Sequence, residues 1–149
     1  MISCQLMGGL GNQLFQTAVV LSLSRDNNKI PIFPSNTKQS CSRKISYNDS
    51  YFHKLERTKN DLKIPVFNEK GFCYNPIELH NDTNLIGYFQ SEKYFENNKK
   101  YVLDTLTLPY KTKDILNDKY KNIINNDNTV SIHVRRGDYL RLQEHHYVQ

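Results

Sequence analysis

The sequence predicts an α/β fold built on a parallel sheet. Three observations carry that prediction. Residues 2–33 run from a short apolar segment through a glycine-rich break and a helical repeat to a second apolar segment. Apolar runs and helix-like repeats occur again over 84–103 and 112–134. Asn, Gly and Pro punctuate the joins, as turns between elements require. A strand, a helix and a second strand in succession form a β-α-β unit, whose crossover makes the two strands parallel.

Each element follows from its residues. "ISCQLM" (2–7) reads as a strand. "GGLGNQ" (8–13) breaks it, because glycine reaches backbone angles closed to other residues. "LFQTAVVLSLSR" (14–25) has helical spacing, with Leu14, Ala18 and Leu21 on one stripe and Phe15, Val19 and Ser22 beside it. "DNN" (26–28) ends that helix, and "KIPIF" (29–33) is the next strand. Residues 34–70 are polar and weakly periodic and predict no defined element. "NLIGYFQ" (84–90) is a further strand. Ser91 caps a helix through about Leu103, with Tyr94, Phe95, Tyr101 and Val102 inward. "TKDILNDKYKNII" (112–124) is amphipathic, with Ile115, Leu116, Tyr120, Ile123 and Ile124 on one face. "TVSIHV" (129–134) then reads as a buried strand.

Composition narrows the function classes. The chain has 149 residues, 38% of them hydrophobic, which suits one modest core and excludes a disordered chain. The net charge of +5 suits an anionic partner or a solvated lysine-rich surface. The basic residues are scattered among acids, so a nucleic-acid binder is disfavoured. Cys4, Cys41 and Cys73 form no CxxC pair, which points away from zinc and from a disulfide framework and toward a reducing compartment. No leader pattern or membrane-length apolar run is evident, so a cytoplasmic location is expected, with peripheral membrane attachment as an alternative. Without a leader, the Asn48 and Asn81 glycosylation patterns and the Arg136-Gly137-Asp138 adhesion tripeptide carry little weight.

Two stretches carry residues fit for chemistry. The first is the glycine loop. A strand, a glycine-rich turn and a helix start can hold an anion on backbone N–H groups and the helix dipole. A tight turn explains the same residues equally well. Leu14 stands where a dinucleotide fingerprint needs its third glycine, which disfavours an NAD-type oxidoreductase, and no Gly-Lys-Ser/Thr makes a phosphate loop. The second stretch is "VSIHVRRGDYL" (130–140), an apolar strand that runs into Arg135 and Arg136. In open α/β sheets, ligands bind beyond the carboxyl ends of strands. A guanidinium fork there matches a phosphate in two parallel hydrogen bonds. His133 shares a face with Arg135 in an extended strand, Gly137 permits a turn, and Asp138 can brace an arginine or His133. A surface Arg pair with a structural Asp is the competing explanation. His145 and His146 are adjacent, so they cannot share a helix face in a metal site.

Three patches together resemble one family. "MGGLGNQLFQ" (7–16), "IGYFQSEKYF" (86–95) and "VSIHVRRGDYL" (130–140) are similar, in order and approximate spacing, to the α-1,2-fucosyltransferases of glycosyltransferase family 11. The resemblance implies a GT-B architecture of two Rossmann-like domains, with residues 1–128 as the acceptor-side domain and 129–149 as the start of the nucleotide-sugar domain. Family members are considerably longer, so the resemblance implies a truncated N-terminal half whose activity alone is doubtful. It implies an inverting, metal-independent transfer of fucose from GDP-fucose to the 2-hydroxyl of a galactose-terminated glycan, without a cofactor.

The implied site is specific. Arg135 would hold the donor pyrophosphate, His133 and Asp138 would order that site, and Gly11 and Asn12 would approach the donor from the opposite domain. Gln13 and the "GYFQS" segment would be structural, with acceptor contact as a further role. Asp138 and Glu144 are the candidates for general base. Charge developing on the departing diphosphate must be met by a positioned arginine and backbone N–H groups when no metal is used. The alternative to an enzyme is a non-catalytic sugar-nucleotide-binding or interaction module left as a remnant of that family.

Overall fold

A computed structural model describes residues 1–35, 47–59, 62–71, 73–79 and 81–134. The chain divides into two compact units, Met1–Thr112 and Lys113–Gln149. The first holds a five-stranded sheet: β1 (Ile2–Cys4), β2 (Pro31–Pro34), β3 (Arg57–Thr58), β4 (Val66–Asn68) and β5 (Thr83–Ile86). The order is β3-β2-β1-β5-β4, and every pairing is parallel. The α/β reading therefore holds, with a Rossmann-like parallel sheet. The polar stretch at 34–70 supplies two short outer strands that the sequence did not predict.

The helix of the first crossover, α1 (Leu10–Asp26), starts four residues earlier than its apolar repeat suggests. It is buried on more than one stripe. Ala18, Val19, Val20 and Leu21 are buried, and so are Gln13, Gln16, Thr17, Ser22 and Ser24. Asn28 ends it in the left-handed region at φ 50°, which Asn tolerates. The core joins α1 to Ile2, Cys4, Leu6, Phe33, Leu85 and Phe89. Phe33 and Phe89 are fully buried, each contributing about 2–3 kcal/mol by loss of apolar surface from water.

After β5 the predicted helix is split. Ser91 Oγ accepts the Lys93 N–H and caps a 3₁₀ turn (Glu92–Tyr94), a second turn follows (Glu96–Asn98), and α2 (Lys99–Thr105) completes it. Tyr94 and Val102 face inward as expected, with Phe95 and Tyr101 packed beside them. The segment is held along α1 by the Phe15–Phe95 ring contact and by Asn98 Nδ2. That amide donates to Ser22 Oγ at 3.0 Å and Asp26 Oδ1 at 2.7 Å.

Asp82 precedes β5 and accepts hydrogen bonds from the Met1 amino group and from Lys29 Nζ, at 3.1 Å for the latter. These bonds, the amino-terminal one foremost, hold its carboxyl below the ordinary carboxylate range. A depressed carboxylate adds stability that is complete above its unfolded value and is lost as pH falls through its folded value. Thermal melts should therefore show a smaller stability loss on acidification for Asp82→Asn than for wild type. Equal losses would remove Asp82 from the account.

Beyond Thr105 come α3 (Tyr110–Lys119) and α4 (Lys121–Ile124), a predicted helix interrupted at Tyr120. Its expected inward face is not covered: Ile115, Tyr120, Ile123 and Ile124 are exposed. The expected buried strand over 129–134 is also corrected. Thr129–Val134 forms no strand, and Val130, Ile132 and Val134 are 84%, 85% and 67% exposed. Alternating β-branched residues favour extended backbone, but a strand exists through its neighbours, and no described residue pairs with this one. Such a surface invites self-association. Light scattering should show oligomers of the chain at micromolar concentration, with Val130→Asp/Ile132→Asp shifted toward monomer. A wild-type monomer at all concentrations would overturn this.

Candidate functional site

The candidate site lies where the strand order breaks, between the neighbours β1 and β5. Crevices at the carboxyl ends of strands at such a break are where open α/β sheets bind ligands. Three loops meet there: Gln5–Gly9 after β1, Gly87–Ser91 after β5, and the residues after β4.

The glycines of the first loop divide the work. Gly8 turns the chain at φ 77°, and a Cβ there would meet Asn12 Nδ2 at 2.5 Å. Gly9 caps α1 in extended conformation, and its carbonyl accepts the Gln13 N–H. A Cβ at Gly9 or Gly11 would meet nothing within 4 Å, and Gly11 is exposed. The first turn of α1 carries no acidic residue. The turn reading of the loop is met by Gly8, and the helix start beside it is the kind of element that can receive an anion.

Buried amides join the loops. Gln16 is fully buried; its Oε1 accepts the Met7 N–H at 2.9 Å and its Nε2 donates to the Gly87 carbonyl at 3.0 Å. Gln13 Nε2 donates to the Gly8 carbonyl at 2.9 Å. Gln90 Nε2 donates to Asn12 Oδ1 at 2.7 Å, so the tip of the β5 loop is tied to the first turn of α1. Gln13 is structural, as expected.

The β5 loop is braced from its other side. Glu69, just after β4, accepts the Tyr88 N–H at 2.7 Å and the Phe89 N–H at 3.0 Å. Phe89 sits at φ 51°, a strained conformation for an aromatic residue, and is fully buried. Gly87 admits Glu69: a Cβ there would lie 2.4 Å from Glu69 Cβ. Burial, and then the Glu69 charge, push the Cys4 thiol far up, so Cys4 is an inert core residue rather than a nucleophile.

Of the residues singled out in the sequence, Gly11 and Asn12 lie together at this opening. His133 is exposed in a segment with no sheet partner among the described residues, in the other unit. Arg135 and Asp138 lie outside the described residues, as do Arg136, Glu144, His145 and His146. Sequence reasoning missed Gln16 and Glu69. Only a buried amide inside an apolar helix could have pointed to Gln16, and nothing local points to Glu69. Among the described residues, no group of three or more His, Cys, Asp or Glu could hold a metal, and no helix is long and apolar enough to cross a membrane.

Comparison with known proteins finds a distant likeness to the O-antigen biosynthesis glycosyltransferase WbnK of Escherichia coli. The two are 25% identical over 181 aligned positions, which take in 94% of this chain. The chain spans 60% of the length of that relative. No family model matches, and no solved structure matches. The chain is thus similar, at low identity, to a glycosyltransferase.

Proposed function

We propose that this chain carries the acceptor-side part of a galactoside α-1,2-fucosyltransferase, which moves fucose from GDP-fucose to the 2-hydroxyl of a galactose-terminated glycan. The observation that carries this reading is the meeting of two of the three family-like patches. Residues 7–16 and 86–95 are far apart in sequence, yet Gln16–Gly87, Asn12–Gln90 and Phe15–Phe95 bring them together along the first half of α1. The E. coli relative supports glycosyl transfer. The choice of fucose, GDP and galactose rests on the motif resemblance alone.

In this reading Gly11 and Asn12 offer the opening of α1 to the donor, while Gln90 fixes the Asn12 amide. Arg135 takes the pyrophosphate with its fork, and His133 and Asp138 order that arginine. The acceptor hydroxyl gives its proton to a carboxylate, Asp138 or Glu144, as it attacks the sugar carbon from the face opposite the departing GDP. The leaving diphosphate gains charge as the bond breaks, and the arginine with backbone N–H groups stabilises it.

The test offers lactose to a longer protein that contains this chain, with GDP-fucose, GDP-mannose, UDP-galactose or UDP-glucose, with and without excess EDTA. Fucosyl-lactose formed only from GDP-fucose, undiminished by chelator, is expected. Transfer from another donor overturns the fucose assignment, and activity lost in EDTA and restored by manganese overturns metal independence.

A second reading is a non-catalytic sugar-nucleotide-binding module. Calorimetric binding of GDP-fucose without turnover would select it.

A further inference from the structure

A second cavity lies well away from the glycine loop. It is half open, and it is lined by the last turns of α1 (Ser22, Leu23, Asp26), by Tyr74, Pro76 and Ile77, and by Lys93, Tyr94, Glu96 and Asn97. Fourteen residues of α1 separate Asn12 from Asp26, which places the cavity about 20 Å along the helix. It belongs entirely to the first unit.

Its lining has two characters. Tyr74 and Tyr94 form an aromatic pair with ring centroids 4.8 Å apart. Tyr94 is anchored, since its ring meets Phe89 edge-on at 5.6 Å and its hydroxyl accepts the Asn75 N–H at 3.1 Å. Tyr74 is 39% exposed, so part of its ring is presented to solvent. Lys93 Nζ stands over that ring at 5.7 Å, drawn by the negative π face, and being exposed it is free to swing aside when a ligand takes the face. Asp26, Glu96 and Asn97, all exposed, line the rest of its rim. Asp26 Oδ1 is fixed by Asn98 Nδ2 at 2.7 Å.

That chemistry excludes most ligands. A phosphate or carboxylate would face two carboxylates with Lys93 alone to balance them. A divalent metal would find only those two carboxylates, and no described group of three or more ligating side chains exists. A purely apolar ligand would use the two rings alone, since Asp26, Lys93 and Glu96 are exposed and keep their water. What remains is a neutral ring with hydroxyls on its edge and C–H groups on its face. Those C–H groups carry the partial positive charge that an aromatic face attracts. The size agrees: about 160 Å³ is well under the ~300 Å³ at which drug-sized sites begin, and suits one ring.

We propose that this cavity is a second saccharide-binding site, taking one hexopyranose ring of a glycan with its C–H face on Tyr74 and its hydroxyls on Asp26, Glu96 and Asn97. Binding here does not depend on the donor assigned above. A glycan held at this site would keep its chain on the protein while its end is processed elsewhere.

The test is a ¹H–¹⁵N titration of the chain with methyl β-D-galactopyranoside at millimolar concentration. Saturable shifts are expected at the amides of Leu23, Asn75, Ile77 and Asn97. Tyr74→Ala should weaken binding about tenfold and Tyr74→Phe should leave it intact, because the ring and not the hydroxyl makes the contact. The Phe33 and Leu85 amides report whether each variant stays folded, and Glu96→Ala gives a second route to weakened binding. Absence of saturable shifts at these amides overturns the proposal, as does binding unchanged by both Tyr74→Ala and Glu96→Ala. Shifts confined to Gly8–Asn12 and Gly87–Ser91 would support the first site and overturn this one. Saturation here leaves this site standing whatever the outcome of the fucose-transfer assay, so the two readings fail separately.

Discussion

Glu69→Ala is expected to lower the unfolding free energy by about 2–3 kcal/mol, a large fraction of the stability of a chain this size. The reason is local. The carboxylate accepts two backbone N–H groups, from Tyr88 and Phe89, and alanine offers neither an acceptor. Phe89 is also held at φ 51° with its ring fully buried, and that strain persists only because its surroundings enforce it. Without Glu69 the loop should relax, and Gln90 should release Asn12. Glu69→Gln keeps one acceptor without the charge and should recover part of the loss. Urea unfolding gives the magnitude, and amide exchange at Tyr88 and Phe89 gives the location. A Glu69→Ala variant within 0.5 kcal/mol of wild type, the ordinary range of a surface substitution, would remove Glu69 as the brace of the site.

The same residues show how far the sequence could be read. The β-α-β unit was legible because its helix is long and its glycine break is unmistakable. Strands β3 and β4 were not, since two and three residues are too short to show alternation. The amphipathic stripe of α1 captured only part of its burial. Gln13 was placed in the glycine break and Gln16 off the apolar stripes, yet both are buried because their side chains serve the loops, while Ser22, read beside the stripe, is buried and receives Asn98. Asn12 was marked by its motif, but its tie to Gln90 spans 78 positions, and no local pattern encodes such a pairing. The stretch 129–134 shows the opposite failure. Its Val and Ile alternation states a preference for extended backbone and says nothing about which strand lies beside it. Pattern reveals what a segment favours; partners decide what it becomes.

The largest effect on chemistry is expected at Arg135, outside the described residues. In a preparation that transfers fucose from GDP-fucose, Arg135→Ala should lower kcat by about 10³-fold, the scale set by losing one donor to a developing anion in a dry site. Arg135→Lys should recover little. Lysine keeps a positive charge but presents it as a hydrated point on a flexible stem, while arginine grips two phosphate oxygens at once. If the contact forms chiefly as the glycosidic bond breaks, kcat and kcat/KM should fall together, and KM should stay nearly constant. A merely structural arginine behaves differently: its loss would lower the melting temperature, and lysine would rescue it by restoring charge. The decisive measurements are steady-state rates and thermal melts of wild type, Arg135→Ala and Arg135→Lys side by side. Wild-type turnover by Arg135→Ala would sink the assignment of this residue to the diphosphate. Rescue by lysine would reduce its role to bulk electrostatics.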